Sequence, residues 1–398
     1  MSLTIKHLNG DTTFLLTFTP YDYPSYSRLS HQSPQPLGSF SILLDPWLKG
    51  PAKMWHHKFL LSKHTSPSWI DHLSQIPEPN VVVVTQDKPD HCHEPTLREL
   101  DPESPITMIL AEPSAAKRIR GMKHFDPSRV HDLRTYSHKN YDSVIRFCVP
   151  PIVPGGSAGE ATISFIPAKM DVAGVHNAIG ITYRPPSVMS IPARPLTPHM
   201  PPSFQHAASP PPHSLSSRPM TPPDSPLPGS LSHTSSTGAS SNPSSSFSMP
   251  SHARSISSTS SVSSSIRYPP QTERSLSLIY SPHGVSYQLL RSYGSSHLVP
   301  NAALPLTALL HSFDRVDNPW WMGGNVAAGS RGGVEIARNL MARCWISAHD
   351  EDKDNTGISV ANVKKTKHSL REVIQDMAGT RTQVMTLGVG EEYMMKAL

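Results

Sequence analysis

The chain has 398 residues, of which 37 % are hydrophobic, 16 % are charged and 42 are proline, so part of it is not built like an ordinary globular domain. That part runs from Pro185 to Pro270, 86 residues with 27 Ser and 19 Pro, one carboxylate (Asp224) and no Lys. Of the formal charge of +5, the segment's Arg194, Arg218, Arg254 and Arg267 against Asp224 account for +3 and leave only +2 for the rest, which argues against a clustered basic face for nucleic acid.

The first elements read as a hairpin. LTIKHL and TTFLLTF are apolar runs broken by the turn signal Asn9-Gly10-Asp11. FSILLDPW repeats the strand pattern and stops at Asp45-Pro46. A helix is expected over Ser68 to Gln75. VVVV, Val81 to Val84, is a strand buried on both faces, because its β-branched run is continuous rather than alternating. A short helix follows over Thr96 to Leu100. Ile106 to Leu110 is a strand feeding a helix near Ser114, and this succession is the grammar of an α/β layer.

SVIRFCV and ATISFIPA are the next two strands. The loop between them, Gly155-Gly156-Ser157-Ala158-Gly159, has the spacing of a serine nucleophile elbow. An elbow needs a helix after its serine, and here the sequence returns directly to a strand, so a hairpin is the better reading.

Pro185 to Pro270 buries too little apolar surface to offset the entropy of ordering it, and it is expected to be a disordered insertion between residues 1–184 and 271–398, two halves of one domain. Thr197-Pro198, Thr221-Pro222 and Ser225-Pro226 are proline-directed phosphorylation motifs, and Arg254-Ser255-Ile256-Ser257 resembles a basic-directed one. A kinase or docking partner is therefore conceivable there, with a passive surface loop as the plainer alternative.

After the insertion SLSLIYSPHG is a strand, LPLTALLHSFD an amphipathic helix, and WWMGGNVAAGSRGG a glycine-rich loop that opens the helix VEIARNLMAR. That loop, with Arg331, has the means to hold an anion, although it lacks the Gly-Lys-Ser/Thr ending of a nucleotide loop. Trp320 and Trp321 are read as core. CWISAHDEDKD is a strand running into an acidic turn, and Val363 to Met377 is a closing helix. Cys92, Cys148 and Cys344 form no disulfide framework. With no secretion signal or membrane span in the sequence, a cytoplasmic, soluble protein is the expectation.

Polar side chains collect at strand ends, where α/β sheets build their sites. Asp45 ends FSILLD, Asp90 and His91 follow VVVV, His283 follows SLIYSP and His349 follows CWISA. Imidazoles with carboxylates are the donors a divalent metal takes, zinc first among them. His176, before another strand, ranks below His283. His56-His57 has no metal spacing.

The order of these residues resembles the metallo-β-lactamase superfamily, whose strand leads into His-x-His-x-Asp-His and is followed by a later His, a bridging Asp and a last His. LLDPW, PAKM and IYSPHG are most similar to its lactonase and phospholipase D-like branch. PDHCHEPTLREL and AHDEDKD resemble a fungal subgroup. The resemblance implies an αββα sandwich. It also places Gln86, Lys88 and Met170 where the three ligands of one metal belong, while Asp90, His91 and His349 remain for the other and His283 replaces the bridging Asp. A single metal is therefore expected on Asp90, His91, His349 and His283, with His283 alternatively a proton shuttle. Lys88 is expected to supply the missing ion's charge, Asp45 to orient a ligand histidine, His93 to support the site or start a helix, and Cys92 to pack in the core. The implied function is a single-metal hydrolase of a small-molecule phosphoester, lactone or related ester. The alternative is a catalytically silent relative that binds a ligand or partner through the same cleft.

Overall fold

A computed structural model describes residues 1–20, 35–54, 56, 58–169, 171, 173–187, 274–320 and 323–398. Met170, His57, Trp321 and the phosphorylation motifs of the insertion lie outside them.

The hairpin forms as read. Ser2–His7 pairs antiparallel with Phe14–Thr19, His7 opposite Phe14. Phe40–Leu44 adds to it antiparallel, and Val81–Val84, Met108–Ala111 and Val130–Asp132 follow in parallel. The late strand Glu392–Lys396 closes the other edge against Ser2–His7, which makes a seven-stranded sheet. A second seven-stranded sheet runs in the order Gln383–Met385, Cys344–Ser347, Ala308–His311, Leu276–Ser281, Asn177–Arg184, Gly159–Pro167, Val144–Val149.

The two sheets stack because each has an apolar inner face. Leu3, Ile5, Phe14, Leu16, Val81 and Val83 of the first meet Ile163, Ile179, Leu278, Tyr280 and Leu310 of the second in one buried cluster. Alternate residues point the other way: Val82, Val84 and Ile109 bury against Ala115, Ala116 and Ile119 of the helix Pro113–Gly121. On the outside of the second sheet, Ile279, Leu309 and Trp345 pack with Leu290 of the helix Tyr287–Tyr293, Ile336 of Ser330–Asn339 and Val373 of Leu370–Asp376. The result is the four-layer αββα sandwich that the sequence implied. Val81 to Val84 needs four apolar residues in a row because both of its faces are covered.

Asn177–Arg184 and Leu276–Ser281, the strands on either side of the Ser/Pro-rich segment, are antiparallel neighbours, Ile179 opposite Tyr280. Gly159–Pro167 likewise pairs antiparallel with Val144–Val149, so the Gly155–Gly159 loop is a hairpin connection and Ser157 is no elbow nucleophile.

Four elements differ from expectation. LPLTALLHSFD is not a helix: Ala308–His311 is a strand held in parallel between Leu276–Ser281 and Cys344–Ser347, and all four residues are buried. A central strand covered on both faces has the same continuous apolar run as a buried helix. Only the turn Leu73–Gln75 of the expected helix from Ser68 forms, capped by His72. The helix after the His cluster starts at Glu94, not Thr96, and spans Glu94–Leu97. Within 363–377, Lys364–Thr366 pairs with Arg315–Asp317, and the helix waits for Ser369, whose hydroxyl and the Glu372 carboxylate form a capping box.

The glycine-rich loop is also reassigned. Asn325–Ala328 is a strand, and the helix begins at Ser330, so Gly332 and Gly333 are helical. A Cβ on Gly333 would run into the Trp345 ring, so close packing explains that glycine without an anion. Trp320, read as core, is 88 % exposed.

Candidate metal centre

The site lies at the ends of the strands that the sequence singled out, and its framework starts with Asn9. Its buried side chain accepts from the backbone N–H of Asp11 and of Thr13 at 3.0 and 2.9 Å and donates to the Trp47 carbonyl at 2.7 Å. This side-chain-closed turn leaves Asp11 fully buried rather than at a hairpin tip.

Asp45 ends its strand with φ at 38°, a conformation that L residues with side chains rarely hold. Its buried carboxylate accepts from the Thr85 backbone N–H and hydroxyl, both at 2.7 Å, from the Tyr280 hydroxyl at 2.8 Å and from His91 Nδ1 at 2.7 Å. His349 also has a positive φ, 69°, and its Nδ1 donates to Asp11 Oδ1 at 2.9 Å. His283 Nδ1 donates to the Val326 carbonyl at 2.8 Å. The turn that carries it is set by Gly284, with φ at 80°, where a Cβ would collide with His311 and Ala328.

With every Nδ1 committed to an oxygen, the three Nε2 atoms are the free ones. The structure brings the three rings together: His91, His283 and His349 each offer a ligand atom within 4.8 Å of the others. Their ring centroids are 5.1, 5.1 and 4.5 Å apart. The Nε2 atoms of His91 and His283 are separated by 3.1 Å. Two ligands of a tetrahedral ion with metal–nitrogen bonds of about 2.0–2.1 Å stand about 3.3 Å apart, so the donor set fits a divalent metal. The carboxylate–histidine pairs behind it are the usual means of fixing ring orientation and tautomer.

Asp90, expected as a fourth ligand, groups instead with Asp11 and His349. Between the two carboxylates lies a cation the sequence reading passed over: Lys353 Nζ is 2.8 Å from Asp11 Oδ2 and 3.3 Å from Asp90 Oδ2. Its ammonium also sits 5.6 Å from the centre of the Trp47 ring. Lys88, expected to supply this charge, has its ammonium on Asp87 at 2.7 Å.

The electrostatics follow the same geometry. Burial works against charge at Asp11, yet His349 and Lys353 hold its carboxyl well below the usual range. Asp90 is likewise brought to about 2, against burial, chiefly by Lys353. Burial also opposes the charge on Lys353, but Asp11 and Asp90 keep its ammonium above its ordinary value. Burial and the neighbouring rings push His283 well below its ordinary value. His91 goes the other way: burial favours the neutral ring, but the Asp45 and Asp90 carboxylates outweigh it.

The acidic turn after Cys344–Ser347 is a clamp. Asp350 accepts from the backbone N–H of Phe313 and Asp314 at 2.7 and 2.9 Å, and burial pushes it up to about 7. Glu351 reaches His64 Nδ1 at 2.5 Å and the Thr65 N–H at 2.8 Å, while Asp352 pairs with Lys365 and Lys367. These anchors position His349 and Lys353 on either side of them.

The remaining residues take structural places. Both ring nitrogens of His176 face backbone carbonyls, Gly284 at 2.9 Å and Asn325 at 3.0 Å, so the ring staples the segment that carries His283. His93 starts the short helix, with Nδ1 2.9 Å from Thr96 Oγ1 and burial bringing it down to about 4. Cys92 is buried in the core beside that helix, its thiol pushed up to about 12. His56 Nδ1 accepts from the Lys58 N–H at 3.2 Å.

Fold and site together define an αββα protein whose strand ends gather three imidazoles and a carboxylate-held lysine around one small polar centre. No family model and no curated protein matches the chain. Among solved structures it is similar to Igni18, a metallo hydrolase of the archaeon Ignicoccus hospitalis, at 10 % identity and a TM-score of 0.44 over 100 % of both chains. An isothiocyanate hydrolase from Delia radicum gut bacteria matches at 8 % identity and 0.43, covering 98 % of each chain. The metallo-β-lactamase fold protein YhfI of Bacillus subtilis matches at 7 % and 0.39, with 98 % of each chain. Similarity at this level leaves the chemistry to be read from the residues themselves.

Proposed function

We propose that the chain is a metal-dependent hydrolase with one divalent ion, zinc by preference, held by His91, His283 and His349. The observation that carries this reading is the convergence of three imidazoles, His91 and His283 Nε2 to Nε2 at 3.1 Å and His349 beside them, whose Nδ1 atoms are all engaged by oxygens. Such an ion would act as a Lewis acid, polarising a substrate oxygen and bringing the pKa of water towards about 7.

The chain's own residues do the rest. Asp45 and Asp11 hold His91 and His349 in the tautomer that presents Nε2. Tyr280 and Thr85 hold Asp45 in turn. Lys353 keeps a positive charge beside the centre, suited to a phosphoryl or ester oxygen as it gains negative charge. A phosphoester, lactone or related ester is the substrate class this suits, in keeping with the resemblance to the lactonase and phospholipase D-like branch. Asp90, ionised but engaged by Lys353, is not assigned as a ligand here.

Elemental analysis of the purified chain tests the reading. About one ion per chain, lost in His91→Ala and His283→Ala, together with hydrolysis of nitrophenyl esters, lactones or bis-nitrophenyl phosphate that stops on chelation, is expected. A chain that takes up no metal after reconstitution would sink the hydrolase reading, and a non-catalytic ligand-binding role would replace it.

A further inference from the structure

We infer that the Lys353 ammonium is a built-in cation occupying a second cation position of this centre, and that it limits the chain to one metal ion. The inference rests on the metal reading above. Asp11, Asp90 and His349 each place a ligand atom within 4.8 Å of the others. With His349 Nδ1 given to its hydrogen bond with Asp11 and its Nε2 to the three-histidine centre, the donors left to a second divalent ion are the Asp11 and Asp90 carboxylates, with water completing its shell. The Lys353 side chain is 11 % exposed, and its Nζ lies against Asp11 Oδ2 at 2.8 Å and Asp90 Oδ2 at 3.3 Å.

A metal ion and the ammonium would need the same carboxylate lone pairs, and their charges repel, so the position holds one or the other. The ammonium is tethered by the chain and always present, whereas an ion must be captured from solution. Its position is enforced from three sides. Glu351 ties the turn to His64 and Thr65, His349 ties it to Asp11, and the Trp47 ring lies 5.6 Å from the charge. Two consequences follow. Asp90 is drawn to Lys353, which lies between it and Asp11, so the neighbouring ion keeps three neutral imidazoles and retains its full positive charge. And Asp11, which orients His349 through one oxygen, has its other oxygen neutralised by lysine rather than by a second ion.

The experiment counts ions. Full-length wild type, Lys353→Met, Lys353→Gln and Lys353→Arg are titrated with zinc(II), and bound zinc is measured by elemental analysis after dialysis and by calorimetry. The expected stoichiometry is one for wild type and Lys353→Arg and two for Lys353→Met and Lys353→Gln. Removing the ammonium leaves two carboxylates without their counter-charge, so the uncharged variants are expected to be less stable without zinc and to regain wild-type melting temperature at the second equivalent. Two ions in wild type, or one ion in wild type and in both uncharged variants, overturns the inference and leaves the metal site standing. No ion in wild type with one ion in Lys353→Met removes the three-histidine reading yet supports the lysine. Failure of both uncharged variants to fold at any zinc concentration also overturns it, since an ion must be able to stand in for the ammonium.

Discussion

His91 Nε2 and His283 Nε2 lie 3.1 Å apart, and each ring already donates its Nδ1–H to an oxygen, Asp45 Oδ2 for one and the Val326 carbonyl for the other. Two lone pairs at that distance repel unless a proton or a metal ion stands between them. The pair is therefore a cation trap, and His349 supplies its third wall. Substituting His283→Ala removes one of the three donors, and zinc affinity, measured by competition with a chromophoric chelator, is expected to fall by more than the roughly 10–100-fold that losing an outer partner costs. Unchanged affinity would place the metal elsewhere.

Asp45 gathers four donors in a site shut off from solvent. In Asp45→Asn the charge behind His91 is lost while the shape is kept, and zinc affinity is expected to drop about 10–100-fold. Tyr280→Phe removes one of those donors and is expected to cost about 1 kcal/mol in denaturant unfolding, with a smaller effect on zinc. An Asp45→Asn protein with wild-type affinity would show that the pair only fastens the strand end.

His297 reports on acid stability at a distance from the centre. Its ring is buried between Thr162, 3.0 Å from Nε2, and the stacked Tyr293 ring, and burial brings it down to about 4. Below the ordinary histidine value of about 6.5 the unfolded chain binds this proton and the folded chain does not, so stability is expected to fall as pH drops from about 6.5 to 4, by up to about 2 kcal/mol at pH 5. Urea unfolding of wild type and His297→Gln at pH 7 and 5 isolates the share. An equal loss in both proteins would mean that His297 is protonated while folded.

Gly333 offers a test of packing against propensity. In an exposed helix Gly→Ala stabilises by about 1 kcal/mol. Here a Cβ would overlap the Trp345 ring, so Gly333→Ala is expected to destabilise by about 1–3 kcal/mol despite the helix. A variant as stable as wild type would show that Trp345 has room to move.

The sequence determined the layer grammar and most of the donors. Val81 to Val84 declared a covered strand by its unbroken branched run, and Asp45, Asp90, His91, His283 and His349 were visible because each ends such a strand. That local signal is carried by neighbouring residues. It failed for Ala308–His311, where a run of apolar residues has one appearance in a helix and a central strand, and the partners that decide lie some thirty residues away on both sides. It also missed Asp11 and Lys353. Asp11 read as a turn residue and Lys353 as one charge in an acidic loop, and neither has a neighbour in sequence that announces a buried role. Their pairing spans |i−j| = 342 and exists only because the hairpin turn after Ser2–His7 and the turn after Cys344–Ser347 close over the same end of the two sheets. Which residue carries a charge is written locally; which charge it neutralises is decided by the packing that excludes water from both.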